Sequence, residues 1–99
     1  MIDFDAIVGF DWDEGNRRKN DKQGVSMSEA EQVFFHQPLL MLADASHSQL
    51  EPRLHALGKT DLGRLLHLTL TLRQSATLIR VISARDMHRK ERAIYEQKA

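Results

Sequence analysis

Glu51, Arg53 and His55 alternate along one face of an expected strand, and His67 and Thr69 along the matching face of the next. Side chains of a strand alternate with a period of two, so these five would meet on one side of a sheet. That side would hold a carboxylate, a guanidinium and two imidazoles, groups that move protons and bind anions. More cations follow the last strand. The stretch VISARDMHRKERAIYEQ, residues 81–97, runs from β-type apolar residues into Arg85, Arg89, Lys90 and Arg92. Arg85 stands where strand gives way to helix, so it can reach the rim of the polar face. Arg85, Arg89 and Arg92 share one stripe of that helix, and His88, Arg92 and Tyr95 the next. Met87, Glu91 and Ile94 form the narrow stripe expected to dock. Arg80 alternates with Leu78, Ile82 and Ala84, and Arg85 with Ile79, Val81 and Ser83. Strict alternation therefore lets only one of these two arginines face the polar set from within the strand.

The charge pattern is segregated although the net charge is zero. Residues 1–14 carry Asp3, Asp5, Asp11, Asp13 and Glu14 and no cation. Residues 15–24 carry Arg17, Arg18, Lys19 and Lys22 against Asp21, and residues 80–99 carry six cations against three acids. The two basic blocks can meet as one phosphate-binding patch. The plainer reading is two solvated helix faces.

A chain of 99 residues is expected to be one domain, 1–99. At this size roughly 60–65% of the unfolded surface is buried, enough for one thin core. A hydrophobic content of 41% argues against disorder. The absence of cysteine excludes disulfides and thiolate zinc sites. No run reaches the roughly 18 apolar residues of a membrane span. The N-terminus is acidic where a signal peptide would be basic. A cytoplasmic protein is the expectation.

The elements that must position the polar face follow from periodicity and caps. Ile7–Trp12 reads as a strand. A helix is expected from the Asp13 cap to Gln23, stopped at Gly24. A second, over Glu29–Phe35, is capped by Ser26 or Ser28, with Ala30, Val33 and Phe34 on its inner face. Strands follow over Leu39–Asp44, Glu51–Lys59, Arg64–Leu72 and Thr77–Arg85, with turns at 60–63 and 73–77. Asp86 is expected to cap a last helix ending near Lys98. The order β-α-α-β-β-β-β-α predicts an antiparallel meander with helices on its apolar face, an α+β fold.

Three stretches carry a resemblance: WDEGNRRKNDKQGVSMSEAEQVF (Trp12–Phe34), DASHSQLEPRLHALG (Asp44–Gly58) and VISARDMHRKERAIYE (Val81–Glu96). On them the chain resembles the BrnT family of toxins, RelE-like ribonucleases of type II toxin–antitoxin modules. The likeness runs from about Phe10 to Gln97. It implies a small antiparallel sheet with two N-terminal helices and a C-terminal helix. It also implies an RNA substrate and a BrnA-like antitoxin with a ribbon-helix-helix domain, through which alone the module would meet DNA, with no membrane partner and no cofactor. The family usually has Lys-His-Gly where this chain has Lys22-Gln23-Gly24. If that histidine carries a proton, another group must serve here.

Metal-free RNA cleavage, which the resemblance implies, needs a base for the 2′-hydroxyl, cations for the charge on phosphorus and an acid for the leaving oxygen. Glu51 or His55 can be the base. Lys22, Arg53 and Arg85 can hold the phosphate. His67, His88 or Tyr95 can be the acid. Arg17, Arg18, Arg80, Arg89, Arg92 and Tyr95 are expected to bind the RNA chain. Plainer roles stand beside these. His55 and His67 can be hydrogen-bonded sheet residues, His88 a surface residue, Glu51 and Arg53 a simple ion pair, and Phe10 and Trp12 core residues. No ligand spacing supports a metal site from Asp44, His47 and His55. Two functions follow: an endoribonuclease toxin that inhibits translation and growth, or a catalytically weak or inactive module that binds a DNA-binding antitoxin.

Overall fold

Leu66, Leu68, Leu70 and Leu72 recur at every second residue of one long strand, and all four join the main core. The computed structural model describes residues 3–15, 23–44 and 52–98. Its strands are β1 (Gly9–Phe10), β2 (Leu40–Asp44), β3 (Arg53–Lys59), β4 (Leu65–Arg73) and β5 (Leu78–Asp86). Its helices are α1 (Met27–Gln32), continued by a 3₁₀ turn over Val33–Phe35, and α2 (Arg89–Lys98). Another 3₁₀ turn covers Phe4–Ala6.

The strands form one sheet in the order β1-β5-β4-β3-β2. β2 to β5 are antiparallel neighbours, as the short turns require. β1 runs parallel to β5, with Gly9 beside Leu78 and Phe10 beside Ile79. The sheet is therefore mixed, not the pure antiparallel meander expected. β1 and β5 are joined by most of the chain, so a parallel arrangement is open to them. Backbone bonds from Val8 N–H to Thr77 O and from Asp11 N–H to Ile79 O, both 2.8 Å, extend the junction.

The leucine face carries the core. Ala56, Leu66, Leu68, Leu70, Ile79, Val81 and Ala84 from the sheet meet Val25, Ala30 and Val33 from the helical layer. Ser26 caps α1 in a reciprocal box, its hydroxyl accepting from Glu29 N–H (3.0 Å) while the Glu29 carboxylate accepts from Ser26 N–H (3.1 Å). The layer seats closely because β3 has Gly58 beneath it. A Cβ there would stand 2.5 Å from Val33 Cγ1.

α2 lies on the opposite face. Its Tyr95 packs with Leu57 and Met87, flanked by Leu40 and Leu65, and the phenol donates to the Pro38 carbonyl at 2.7 Å. Among the described residues the complete helices are thus one mid-chain and one C-terminal, and they sit on two faces; Glu14 and Gly15 are also helical. This departs from two N-terminal helices sharing the apolar face. The first expected helix, 13–23, falls mostly on 16–22, outside the described residues.

Two local departures shape the polar face. Thr69 pairs with Ser83 but Leu70 with Val81, so the register skips Ile82. A bulge adds one residue to one strand and shifts its alternation. Arg80, now beside Thr71, joins Ser83 and Arg85 on the side of His67 and Thr69. Both arginines share that side, against the expectation that only one can. Second, Asp86 does not cap the last helix. It ends β5 and takes a bidentate pair from Arg64 (2.8 and 3.1 Å), whose Nη1 also reaches the Gly24 carbonyl (2.9 Å) and Glu29 (3.0 Å). Arg64, read as the start of a strand, ties the β3–β4 turn to the start of α1 and the end of β5.

Candidate functional site

α2 covers the Leu57–Leu65 end of the polar face, and His55, His67, Thr69, Ser83 and Arg85 line the face beside it. β3 and β4 bring the two imidazoles together by register: His55 sits opposite Thr69 and Leu57 opposite His67, so the histidines are diagonal neighbours. Their ring centroids are 5.0 Å apart. The Thr69 hydroxyl lies 3.2 Å from His55 Nδ1. Across the other edge of β4, His67 is in register with Arg85 of β5.

Arg85 is held from behind. Its Nη1 and Nη2 donate to the two carboxylate oxygens of Glu91 at 2.8 and 2.9 Å, and Nη1 also donates to the Asp86 carbonyl at 3.1 Å. Glu91 is in turn anchored by the His88 backbone N–H at 2.8 Å. This bond ties down the start of α2, the task expected of Asp86. The arginine's hydrogen bonds hold the Glu91 carboxyl down to about 2, so it is ionised at every physiological pH.

His67 is more enclosed than either Arg85 or Glu91. Its side chain is 12% exposed, and its Nδ1 is buried with no hydrogen-bond partner among the described residues. Burial first, and the Arg85 charge second, push its imidazole down to about 4. Glu91 opposes that shift from 4.0 Å. At neutral pH the ring is uncharged, so this approach is not an ion pair. A neutral imidazole accepts a proton and does not supply one. Of the roles expected for His67, the acid is therefore the one the resting site disfavours.

The other expected residues divide sharply. Arg53 lies two residues before His55 on the same strand, in register with Asp44. Arg80 is engaged by Asp11 at 3.1 Å and also by Asp13, so the acidic N-terminal stretch neutralises it. Arg89 and Arg92 are exposed along α2, and His88 is exposed just before it. Tyr95 corrects an expectation: at 3% exposure, with its hydroxyl committed to Pro38, it is a core residue that can neither stack a base nor give up a proton. Burial also raises its hydroxyl further from titration. Lys22, Glu51, Arg17 and Arg18 lie outside the described residues, as does His47. Among the described residues no three His, Asp or Glu side chains gather as metal ligands would.

Sequence reasoning missed Glu91, assigning it to the docking stripe. A signal was present: a carboxylate six residues after a strand-end arginine, with only Met87 and His88 between strand and helix. A connection that short folds the first helical turn back over the strand end.

A family model described as ribonuclease toxin, BrnT, of type II toxin–antitoxin system matches residues 12–91. The matched stretch includes His55, His67, Arg85 and Glu91. No curated protein matches the chain.

Proposed function

The chain belongs to the BrnT ribonuclease toxins of type II toxin–antitoxin systems, and from that membership we propose that it cuts RNA without a metal at the His55–His67–Arg85 face, arresting translation and growth in the cytoplasm. The observation that carries this reading is the cross-strand pair of a neutral, enclosed imidazole and an arginine already fixed in place. His67, or His55 beside it, takes the 2′-hydroxyl proton. The freed 2′-oxygen attacks phosphorus, and the bond to the 5′-oxygen breaks, leaving a 2′,3′-cyclic phosphate and a 5′-hydroxyl. Arg85 meets the extra negative charge that phosphorus carries between these events. The leaving oxygen needs a proton, for which His88, exposed just before α2, is a candidate. Glu51 and Lys22 remain candidates for the base and for phosphate binding, and Arg17, Arg18, Arg53, Arg89 and Arg92 for holding the strand. The fold would be of the RelE-like kind. The partner would be a cognate antitoxin with a ribbon-helix-helix domain that covers the cationic face and binds the operator.

A second reading has one observation behind it: Gln23 stands where the family usually has histidine. The chain would then be a weak or inactive module that serves its antitoxin in autoregulation. One experiment separates the two. The purified chain is incubated with single-stranded RNA in chelator, alongside Arg85→Ala, with thermal melts as the folding control. The enzyme reading expects cleavage by the first and a loss on the order of 10²–10³-fold in the second. Cleavage unaffected by Arg85→Ala would remove Arg85 from the mechanism, and an inert parent chain would favour the second reading.

A further inference from the structure

We propose that Glu91 is a positioning residue of this site, fixing the Arg85 guanidinium by one edge and standing behind His67 to meet the charge that ring acquires. The inference rests on the reading of His67 and Arg85 given above. A guanidinium has five N–H donors. Glu91 takes one from each Nη, and the Asp86 carbonyl takes the second from Nη1. The Nε–H and the second Nη2–H go to neither. They form the other edge of the fork, the one that matches two oxygens of a phosphate. Arg85 is thus gripped on one side and presented on the other.

The grip is itself rigid, because the same carboxylate oxygen that holds Nη1 accepts the His88 backbone N–H. The other oxygen lies 4.0 Å from His67 Nε2. His67 is faced by His55 from β3, Arg85 from β5, and His88 and Glu91 from the start of α2. The arginine and both histidines oppose a positive charge on it; of these groups only Glu91 favours one. Without the carboxylate, Arg85 would lose its orientation, and its unneutralised charge would make His67 a poorer base.

Glu91→Gln keeps the side chain's size and removes its charge. The variant and the unaltered chain are compared for melting temperature, affinity for a non-cleavable single-stranded RNA, and single-turnover cleavage rate. Removing an anion beside a phosphate site leaves RNA binding equal or tighter, whereas positioning is lost. The expected result is a rate lower by on the order of 10–100-fold with no loss of affinity. Glu91→Asp, which keeps the charge but draws it back by one methylene, should fall between the two. If Glu91→Gln does not fold, Glu91→Asp decides alone, with a rate about tenfold lower at equal affinity expected. An unchanged rate in the folded variant, or a loss that lies wholly in affinity, overturns the proposal. A parent chain that cleaves no RNA overturns the reading of the site and this inference with it. A cleaving chain indifferent to Glu91→Gln overturns the inference alone.

Discussion

An imidazole in an unfolded chain titrates near about 6.5, whereas burial and Arg85 bring His67 to about 4. Above the unfolded value the ring is neutral in both states and contributes nothing to pH dependence. Between the two values the unfolded chain takes up a proton that the folded chain refuses. Stability therefore falls as pH falls, by at most about 3 kcal/mol. Glu91 acts lower down: its stabilising pairing with Arg85 is complete above the ordinary carboxyl value of 4.5 and is lost as pH falls toward about 2. Melting temperature measured from pH 7 to pH 4 should drop, and His67→Gln should flatten the upper part of that drop while leaving the part below pH 4.5. Equal curves for the two proteins would assign the acid sensitivity elsewhere. Arg85→Lys offers a second check at this scale. A lysine keeps the charge but cannot grip Glu91 through two nitrogens while offering a second edge. Cleavage should fall on the order of 10²-fold, whereas Arg89→Ala, exposed on α2, should change little beyond salt dependence.

At the scale of elements, two backbone positions make opposite forecasts. Gly58 lies under Val33, a short branched side chain that cannot swing aside, so Gly58→Ala should lower stability by about 1–3 kcal/mol. In the β4–β5 turn, Gln74, Ser75 and Ala76 all have positive φ (54°, 56° and 66°). Left-handed backbone costs a residue with a Cβ roughly 1 kcal/mol, so Ala76→Gly should raise stability by up to about that amount in a denaturant titration. Unchanged midpoints in both variants would contradict these placements. Much of this layer was legible in the sequence. Leu66 to Leu72 announced β4, two serines marked the start of α1 without deciding between Ser26 and Ser28, and the strand bounds of β2 to β5 came within two residues. The rest was not legible, for physical reasons. A period of two presumes one residue per position, so it cannot register the bulge at Ile82 that turns Arg80 over. A strand as short as Gly9–Phe10 carries no sign of which edge it joins. Tyr95 looks amphipathic, and only the packing of α2 on Leu57 makes it core. Arg64 and Glu91 act through partners that nothing in local periodicity pairs with them, and for the site this mattered most: His67 and Arg85 could be named, but not what holds them.

For the whole molecule, balanced charge conceals an uneven surface. Arg80 and Arg85 are matched by acids, while Arg89, Lys90, Arg92 and Lys98 stand exposed on α2. Binding of single-stranded RNA should weaken with salt, with a log–log slope near about −0.7 per phosphate contacted. Replacing both Arg89 and Arg92 by alanine should make the slope shallower without abolishing cleavage. A slope unchanged by the pair would place the phosphate contacts off α2. The parallel pairing of β1 with β5 bears on how the protein is made. Asp11 and the Arg80 it clasps are 69 positions apart, so at roughly 5–20 residues per second of synthesis the acidic stretch waits on the order of ten seconds for its cation. β5 is the last strand to emerge, and Glu91 comes later still. His67 is translated well before either Arg85 or Glu91 exists to flank it. On the proposed reading, Glu91 must therefore be added before the face that would cut RNA can assemble, and a nascent chain that stops short of it lacks that face.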